Sequence, residues 1–197
     1  LAAVPEWQSA ESAIANSVAA GDLDGDGLPD LAAARWVNFE SAAWRNVGGT
    51  PEATPFWQAG STAGDRGVAI ADFDGDGHND ILLGQDVLTL YRNDGAGGFA
   101  PVWRANNTAS DHQGLAVADI NGDGLDEVLA GNTNGKLYCL TAEGKVLWSA
   151  DCEARVNCVN TVDFGGDGKL AVVVGTLNAQ AIAFDAEGKR LWTFDVP

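Results

Sequence analysis

One acidic nonapeptide is written three times in this chain of 197 residues, and a fourth time in worn form. It reads DLDGDGLPD at 22–30, DFDGDGHND at 72–80, DINGDGLDE at 119–127 and DFGGDGKLA at 163–171, with starts separated by 50, 47 and 44 residues. A second marker keeps the same beat. Trp7, Trp57, Trp103, Trp148 and Trp192 follow at steps of 50, 46, 45 and 44, in the contexts PEWQS, PFWQA, PVWRA, VLWSA and RLWTF. Two unrelated motifs on one period mean that a single supersecondary unit is repeated along the whole chain.

Each unit carries four short apolar runs. SVAAG, GVAIA, LAVA and VNTV precede the acidic segments; LAAAR, ILLG, VLAG and LAVVVG follow them. AWRN, LYRNDG, KLYCLTAEG and AIAFDAEG form the third run, and the Trp segment the fourth. These runs are rich in Val, Ile, Leu and aromatics and bounded by Gly, Asn and Asp, which marks strands. NDGAGG and AEGK supply hairpin-turn residues. Four antiparallel strands per 44–50 residues is the signature of a propeller blade. The predicted fold is an all-β propeller of four four-stranded blades, at about 15–60, 65–106, 112–151 and 156–197, with 1–14 as an additional outer strand and loop. The Ala- and Gly-rich run is expected innermost and the Trp strand outermost, its ring wedged between sheets. Trp44 is expected to be packed within its own blade, and Trp36, in the long connection ARWVNFESAA, to be exposed.

The chemistry of the repeated segment points to a cation. The chain holds 28 acids against 11 bases, a net charge of −17, and twelve of those acids sit in the three intact nonapeptides. Such a balance disfavours a nucleic-acid surface, which needs clustered Lys and Arg. In D-x-D-G-D-G-x-x-D, inward side chains at positions 1, 3, 5 and 9, with a carbonyl at 7, make an all-oxygen shell of the kind Ca²⁺ takes. The candidate ligands are Asp22, Asp24, Asp26, Leu28 and Asp30; Asp72, Asp74, Asp76, His78 and Asp80; and Asp119, Asn121, Asp123, Leu125 and Glu127. An EF-hand needs an acid at position 12 followed by a helix; here position 12 is Ala33, Leu83 or Ala130, between strands. The fourth segment keeps Asp163 and Asp167 but has Gly165 and Ala171 at positions 3 and 9, so it is expected to be empty or weak. Three ions would move the charge from −17 to about −11 and relieve carboxylate repulsion. Calcium is therefore expected as a structural ion.

The three D-x-[DN]-G-D-G-x-x-[DE] segments between apolar strands resemble the FG-GAP/VCBS repeats of integrin α-subunits and their bacterial relatives. The resemblance implies calcium at the loop between first and second strands, opposite the usual ligand surface, and an extracellular, cell-surface or periplasmic setting. GKLYCLTAEGKVLWSA and AQAIAFDAEGKRLWTF are similar instead to pyrroloquinoline-quinone-type propeller repeats, a similarity of blade pattern that brings no quinone site with it.

Five Trp strands against four acidic segments leave one strand over. The surplus suits an arc of a larger ring, or a strand shared with a second copy. Ligand contacts are expected on the loops opposite the acidic ones, with Trp36, Phe39, Asp65, Arg66, Asp111, His112 and Arg155 as candidates. No Ser/His/Asp order, nucleophile elbow or zinc motif is present. The expected function is a non-catalytic adhesion or interaction module with a protein ligand. A glycan-binding propeller is the alternative, and a polysaccharide lyase or hydrolase domain the third reading. No apolar run approaches a membrane span, and no signal peptide opens the sequence. Cys139, Cys152 and Cys158 fit no metal motif; they read as buried small hydrophobes, with a Cys152–Cys158 disulfide as the alternative.

Overall fold

The computed structural model describes residues 9–10, 13–36, 38–61, 64–84, 87–105 and 112–196, with backbone only at His112 and Gln113. Blade one contains β1 (Ala15–Gly21), β2 (Asp30–Arg35), β3 (Ala42–Trp44) and β6 (Trp57–Gln58), with a small ribbon of β4 (Asn46–Val47) and β5 (Thr50–Pro51). Blade two is β7 (Gly67–Ala71), β8 (Asp80–Gly84), β9 (Leu88–Asn93) and β10 (Phe99–Ala105). Blade three is β11 (His112–Ala118), β12 (Glu127–Asn132), β13 (Lys136–Leu140) and β14 (Val146–Asp151). Blade four is β15 (Val156–Val162), β16 (Ala171–Thr176), β17 (Gln180–Phe184) and β18 (Arg190–Asp195). All pairings within blades are antiparallel. The all-β propeller with four four-stranded blades is as the repeat period predicts. The additional outer strand expected at 1–14, with Trp7, lies largely outside the described residues.

The inner strands pack in sequence, β1 on β7, β7 on β11 and β11 on β15. Small residues permit this crowding. A Cβ on Gly114 of β11 would sit 2.8 Å from the backbone of Cys158 on β15. Each inner strand ends in its acidic loop, so the four loops share one end of the propeller, and the strand starts share the other.

The core lies between blades. Ala32, Ala34 and Ala43 of blade one meet Val68, Ile81, Leu83 and Tyr91 of blade two. Leu82, Leu88 and Leu90 meet Val128, Ala130 and Leu140 of blade three. Leu129, Leu137 and Cys139 meet Val172, Val174, Ile182 and Phe184 of blade four. The second residue of each of the first three acidic loops is a plug driven into the next blade: Leu23, Phe73 and Ile120 are 1%, 0% and 6% exposed, whereas Phe164 of the fourth is 58% exposed.

The outer-strand tryptophans fasten the same seams. Trp103 Nε1 donates to Ala142 O at 2.8 Å, and Trp148 Nε1 to Ala186 O at 2.7 Å. Each ring lies on the glycine of the facing hairpin turn: a Cβ on Gly144 or Gly188 would meet the Trp103 or Trp148 ring at 2.8 or 2.6 Å. Trp57 instead packs edge-on against Tyr91, ring centres 5.1 Å apart, and tilted on Phe99. Trp44 is buried. The expectation of a Trp wedged between blades thus describes Trp57, Trp103 and Trp148. Trp192 departs from it, at 39% exposed and packed on Phe164 of its own blade. The three cysteines are free thiols, Cys139 and Cys152 buried and Cys158 exposed, so Cys152 and Cys158 form no disulfide.

The Trp148 seam yields a direct prediction. Gly188 has φ +80° and no room for a methyl group, so Gly188→Ala should cost about 2–4 kcal/mol of unfolding free energy in urea titration, from strain plus overpacking. Gly166, at φ +68° with nothing within 4 Å among the described residues, should lose only about 1 kcal/mol on the same change.

Candidate metal loops and axial cleft

The first aspartate of each acidic loop organises it. Asp22 accepts from the backbone N–H of Gly25 and Gly27 at 2.7 and 2.9 Å. Asp72 accepts from Gly75, Asp76 and Gly77, and Asp119 from Gly122, Asp123 and Gly124. Asp163 accepts from Gly165, Gly166, Asp167 and Gly168. Fixed N–H donors favour the ionised carboxylate, and they hold Asp163 below the usual carboxylate range. The loops turn sharply because Gly at positions 4 and 6 takes positive φ, as at Gly25 (+79°) and Gly27 (+84°). This frame survives in the fourth loop, which has lost two candidate ligands.

Position 9 locks each intact loop to its blade. Asp30 Oδ2 accepts from Leu23 N at 2.9 Å, and Oδ1 from Asn46 N at 2.7 Å. Asp80 accepts from Phe73 N and Asn93 N at 3.3 and 2.8 Å. Glu127 accepts from Ile120 N at 3.3 Å. All three acids are buried. Burial raises their pKa, despite the backbone donors, and carries Asp80 up to about 6.

Position 3 distinguishes the loops. Asp24 pairs with Arg45 at 3.0 Å, and Asp74 with Arg92 at 2.9 Å, each arginine following the third strand or lying in it. In loop three the residue is Asn121, whose amide nitrogen donates to Asp123 Oδ2 at 3.0 Å and Glu127 Oε1 at 2.9 Å. In loop four it is Gly165.

Carboxylate oxygens of Asp22, Asp24 and Asp30 lie within 4.8 Å of one another, as do those of Asp72, Asp74 and Asp76. These two all-oxygen clusters fit a hard cation. Asp26 and Asp80 stand outside the two groupings: Asp26 accepts from Leu28 N, and Asp80 is bound at both oxygens to backbone. In loop three the Asn121 amide bridges carboxylates that a cation would otherwise join. Leu28, His78 and Leu125 enter the loops through their backbone; His78 N donates to Asp76 Oδ1, and its ring lies against Gly95.

At the opposite end, Asn16, Arg66, Arg155 and Asn157 line an open cleft of about 290 Å³ at the starts of β1, β7 and β15. Trp36, 37% exposed, lies beneath the Arg66 guanidinium, 4.6 Å from ring centre. The cleft therefore joins Arg66 and Arg155, with Trp36 beside it. Asn16 and Asn157 were not legible as candidates, since nothing local separates them from other surface amides. Phe39 lies apart, under the Arg35 guanidinium at 6.0 Å. Asp111 and the His112 side chain fall outside the described residues.

Asp65 corrects the ligand-face expectation. It is 1% exposed, accepts a short hydrogen bond from the Ser41 hydroxyl, and takes Asn16 Nδ2 on its carbonyl at 2.7 Å. It fastens blade one to blade two and offers no surface to a ligand. Burial carries its carboxyl up to about 6, against the lowering effect of Ser41. Because the folded pKa exceeds the unfolded 3.8, the folded state holds the proton more tightly. Stability from this group is full below pH 3.8 and falls as pH rises through about 6. Asp65→Asn should flatten that fall, of at most about 3 kcal/mol, in urea unfolding compared at pH 4 and pH 8.

Comparison with known proteins agrees with the architecture. Residues 15–35 match the FG-GAP repeat model, and residues 100–195 match the lambda-carrageenase beta-propeller domain model. No curated protein matches. Among solved structures, BBS1N in complex with ARL6DN is similar at TM-score 0.62 (lead soak) and 0.67 (mercury soak), with 11% and 12% identity over 95% and 96% of this chain. The WD40 beta propeller domain of Doa1 is similar at TM-score 0.65 and 16% identity over 90%. The chain spans 60%, 56% and 53% of those chains respectively. Among the described residues, no helix is long and apolar enough to cross a membrane. Its blade architecture makes the chain a β-propeller, whose first inner hairpin and acidic loop are similar to an FG-GAP repeat and whose last two blades are similar to the lambda-carrageenase propeller domain.

Proposed function

We propose that the chain is a non-catalytic interaction module, stiffened by calcium at the acidic loops and binding a protein partner at the axial cleft. The observation that carries this reading is the division of labour between the two ends. At one end the FG-GAP loops spend their carboxylates on their own backbone and on a cation. At the other, polar side chains from three blades converge on one cleft. Loops on a rigid scaffold are where binding collects. An all-oxygen donor set in a strand-bounded loop suits Ca²⁺, and the setting proposed is extracellular, cell-surface or periplasmic, where calcium at about 10⁻⁴–10⁻³ M fills modest sites.

Loops one and two are proposed as the stronger sites and loop three as weaker, because Asn121 must turn its oxygen inward. Isothermal titration should therefore show two calcium sites tighter than a third. Asp24→Asn and Asp74→Asn should each remove one of the tight sites. Thermal melting in excess EDTA should shift downward, since an ion that binds only the folded state adds stability by mass action. Absence of heat and of any melting shift at millimolar calcium would overturn the structural-ion reading.

One observation favours a second ligand class. The match of residues 100–195 to a lambda-carrageenase propeller model, with Trp36 exposed beside Arg66, suits an acidic glycan whose rings stack on the indole. A panel of acidic and neutral polysaccharides separates the readings. Binding of acidic members that Arg66→Ala and Arg155→Ala weaken about tenfold or more favours the glycan; silence across the panel favours a protein.

A further inference from the structure

The axial cleft has a chemistry that narrows the kind of partner it fits, an inference that rests on its reading as a protein-binding site. The side chains that line it are all polar: Asn16 from blade one, Arg66 from blade two, and Arg155 and Asn157 from blade four. Two guanidinium groups thus meet in one cleft of a chain that holds 11 bases against 28 acids. None of the described lining residues is a carboxylate. The acids beside these arginines in sequence are engaged elsewhere. Asp65 is buried on the Ser41 hydroxyl, and Glu153 pairs with Arg190 at 2.7 Å.

The net charge of −17 does not set the sign of the field in the cleft. The acidic loops lie at the far ends of the inner strands. β1, β11 and β15 are each seven residues long. That length is about 20 Å at ~3.3 Å per residue. It exceeds two screening lengths at physiological ionic strength, where the Debye length is about 8 Å. An anion in the cleft is therefore governed by the arginines it touches, and only weakly by the loops at the other end.

The lining groups are held in place before any ligand arrives. The Arg66 guanidinium lies over the Trp36 ring, 4.6 Å from its centre, and Arg66 N donates to Gly84 O at 2.7 Å. Arg155 O accepts from Leu177 N at 2.9 Å. Asn16 Nδ2 donates to Asp65 O at 2.7 Å, which fixes the direction of that amide. Planar guanidinium forks match a carboxylate with two parallel hydrogen bonds, and positioning them beforehand lowers the ordering cost of binding. The volume, about 290 Å³, stands at the lower edge of the roughly 300–1,000 Å³ that pockets for whole small molecules occupy. It suits an inserted side chain.

An apolar rim surrounds this polar floor. Ile14, Trp36 and Leu177 are 66%, 37% and 65% exposed. Trp36 N donates to Ile14 O at 2.8 Å, and Leu177 N to Arg155 O, so each rim residue is tied to the cleft wall. Such a rim excludes water from a charge pair at its centre and strengthens it. Two of the three rim residues are aliphatic, and the Trp36 ring is already covered on one face by Arg66. That composition favours the apolar side chains of a peptide over sugar rings, which need aromatic faces.

We propose that the cleft captures an acidic segment of a protein partner. An Asp or Glu side chain of the partner pairs with Arg66 and Arg155, the amides of Asn16 and Asn157 bind the backbone beside it, and apolar residues flanking the acid pack on Ile14, Trp36 and Leu177.

Selection of a random peptide library displayed on phage against the whole chain, with calcium present, tests this. The expected result is enrichment of sequences that place an acid beside apolar residues. A synthetic peptide of the enriched sequence should bind in fluorescence anisotropy, and Arg66→Ala and Arg155→Ala should each weaken it about tenfold or more. Charge reversal controls for misfolding: Arg155→Glu should lose the acidic peptide and gain the same peptide with lysine in place of its acid. Enriched peptides that lack an acid and depend on Trp36 would overturn the proposal and leave the cleft a protein site. Enriched peptides that no cleft substitution affects would overturn both. An empty selection also overturns the proposal, and acidic polysaccharides bound through the same arginines would then assign the cleft to a glycan.

Discussion

A four-stranded blade is too thin to bury its own apolar residues; it can only bury them against another blade. Everything else in this molecule follows from that dependence. The apolar clusters lie across seams, with Leu82 and Leu90 on one side and Val128 and Leu140 on the other. The first three loops send a plug forward, and the outer strands of blades two and three send an indole forward onto a hairpin turn that supplies a glycine and a carbonyl to receive it. Stability is thus a property of neighbours, as in other repeat architectures.

The acidic loops belong to the same scheme. Position 1 closes the loop on itself through backbone N–H groups, and position 9 ties the loop to the second and third strands. Between them the plug at position 2 is held at a fixed angle to the next blade. Asn79 and Asn93 then reach back to the carbonyls of Asp22 and Leu23. The loop is therefore both a candidate cation site and the hinge pin of a seam in the first three blades, whereas the fourth keeps the backbone frame of position 1 with its plug, Phe164, exposed.

The period and the four strands of each blade were legible from the sequence because both follow from local composition repeated at a fixed interval, whereas the β4–β5 ribbon, which occurs in blade one among the described residues, was not. The Trp wedges were legible for the same reason, apart from Trp192, whose exposure depends on what lies beyond blade four. Asp65 was misread, because burial of a loop acid is decided by the Ser41 hydroxyl and the Asn16 amide, 24 and 49 residues away. The different standing of loop three was also hidden. Asn121 resembles a conservative ligand, yet its amide protons let it span two carboxylates. The cleft was half legible: Arg66 and Arg155 announce themselves by charge, whereas Asn16 and Asn157 gain meaning only from the convergence of inner strands.

The third position of the acidic loops grades along the chain, from Asp with an arginine partner, twice, through Asn to Gly. Each step supplies less charge to be neutralised. The first two blades consequently carry an arginine counter-ion at this position, the third carries an amide clasp, and the fourth has neither. On the proposed calcium reading, a fall in ambient divalent cation would be felt unevenly along the arc, most in the amino-terminal pair of blades, whose loops are proposed as the tighter sites. The molecule would then be an arc of two stiffnesses bent round one axis, with a directional response to its ionic surroundings.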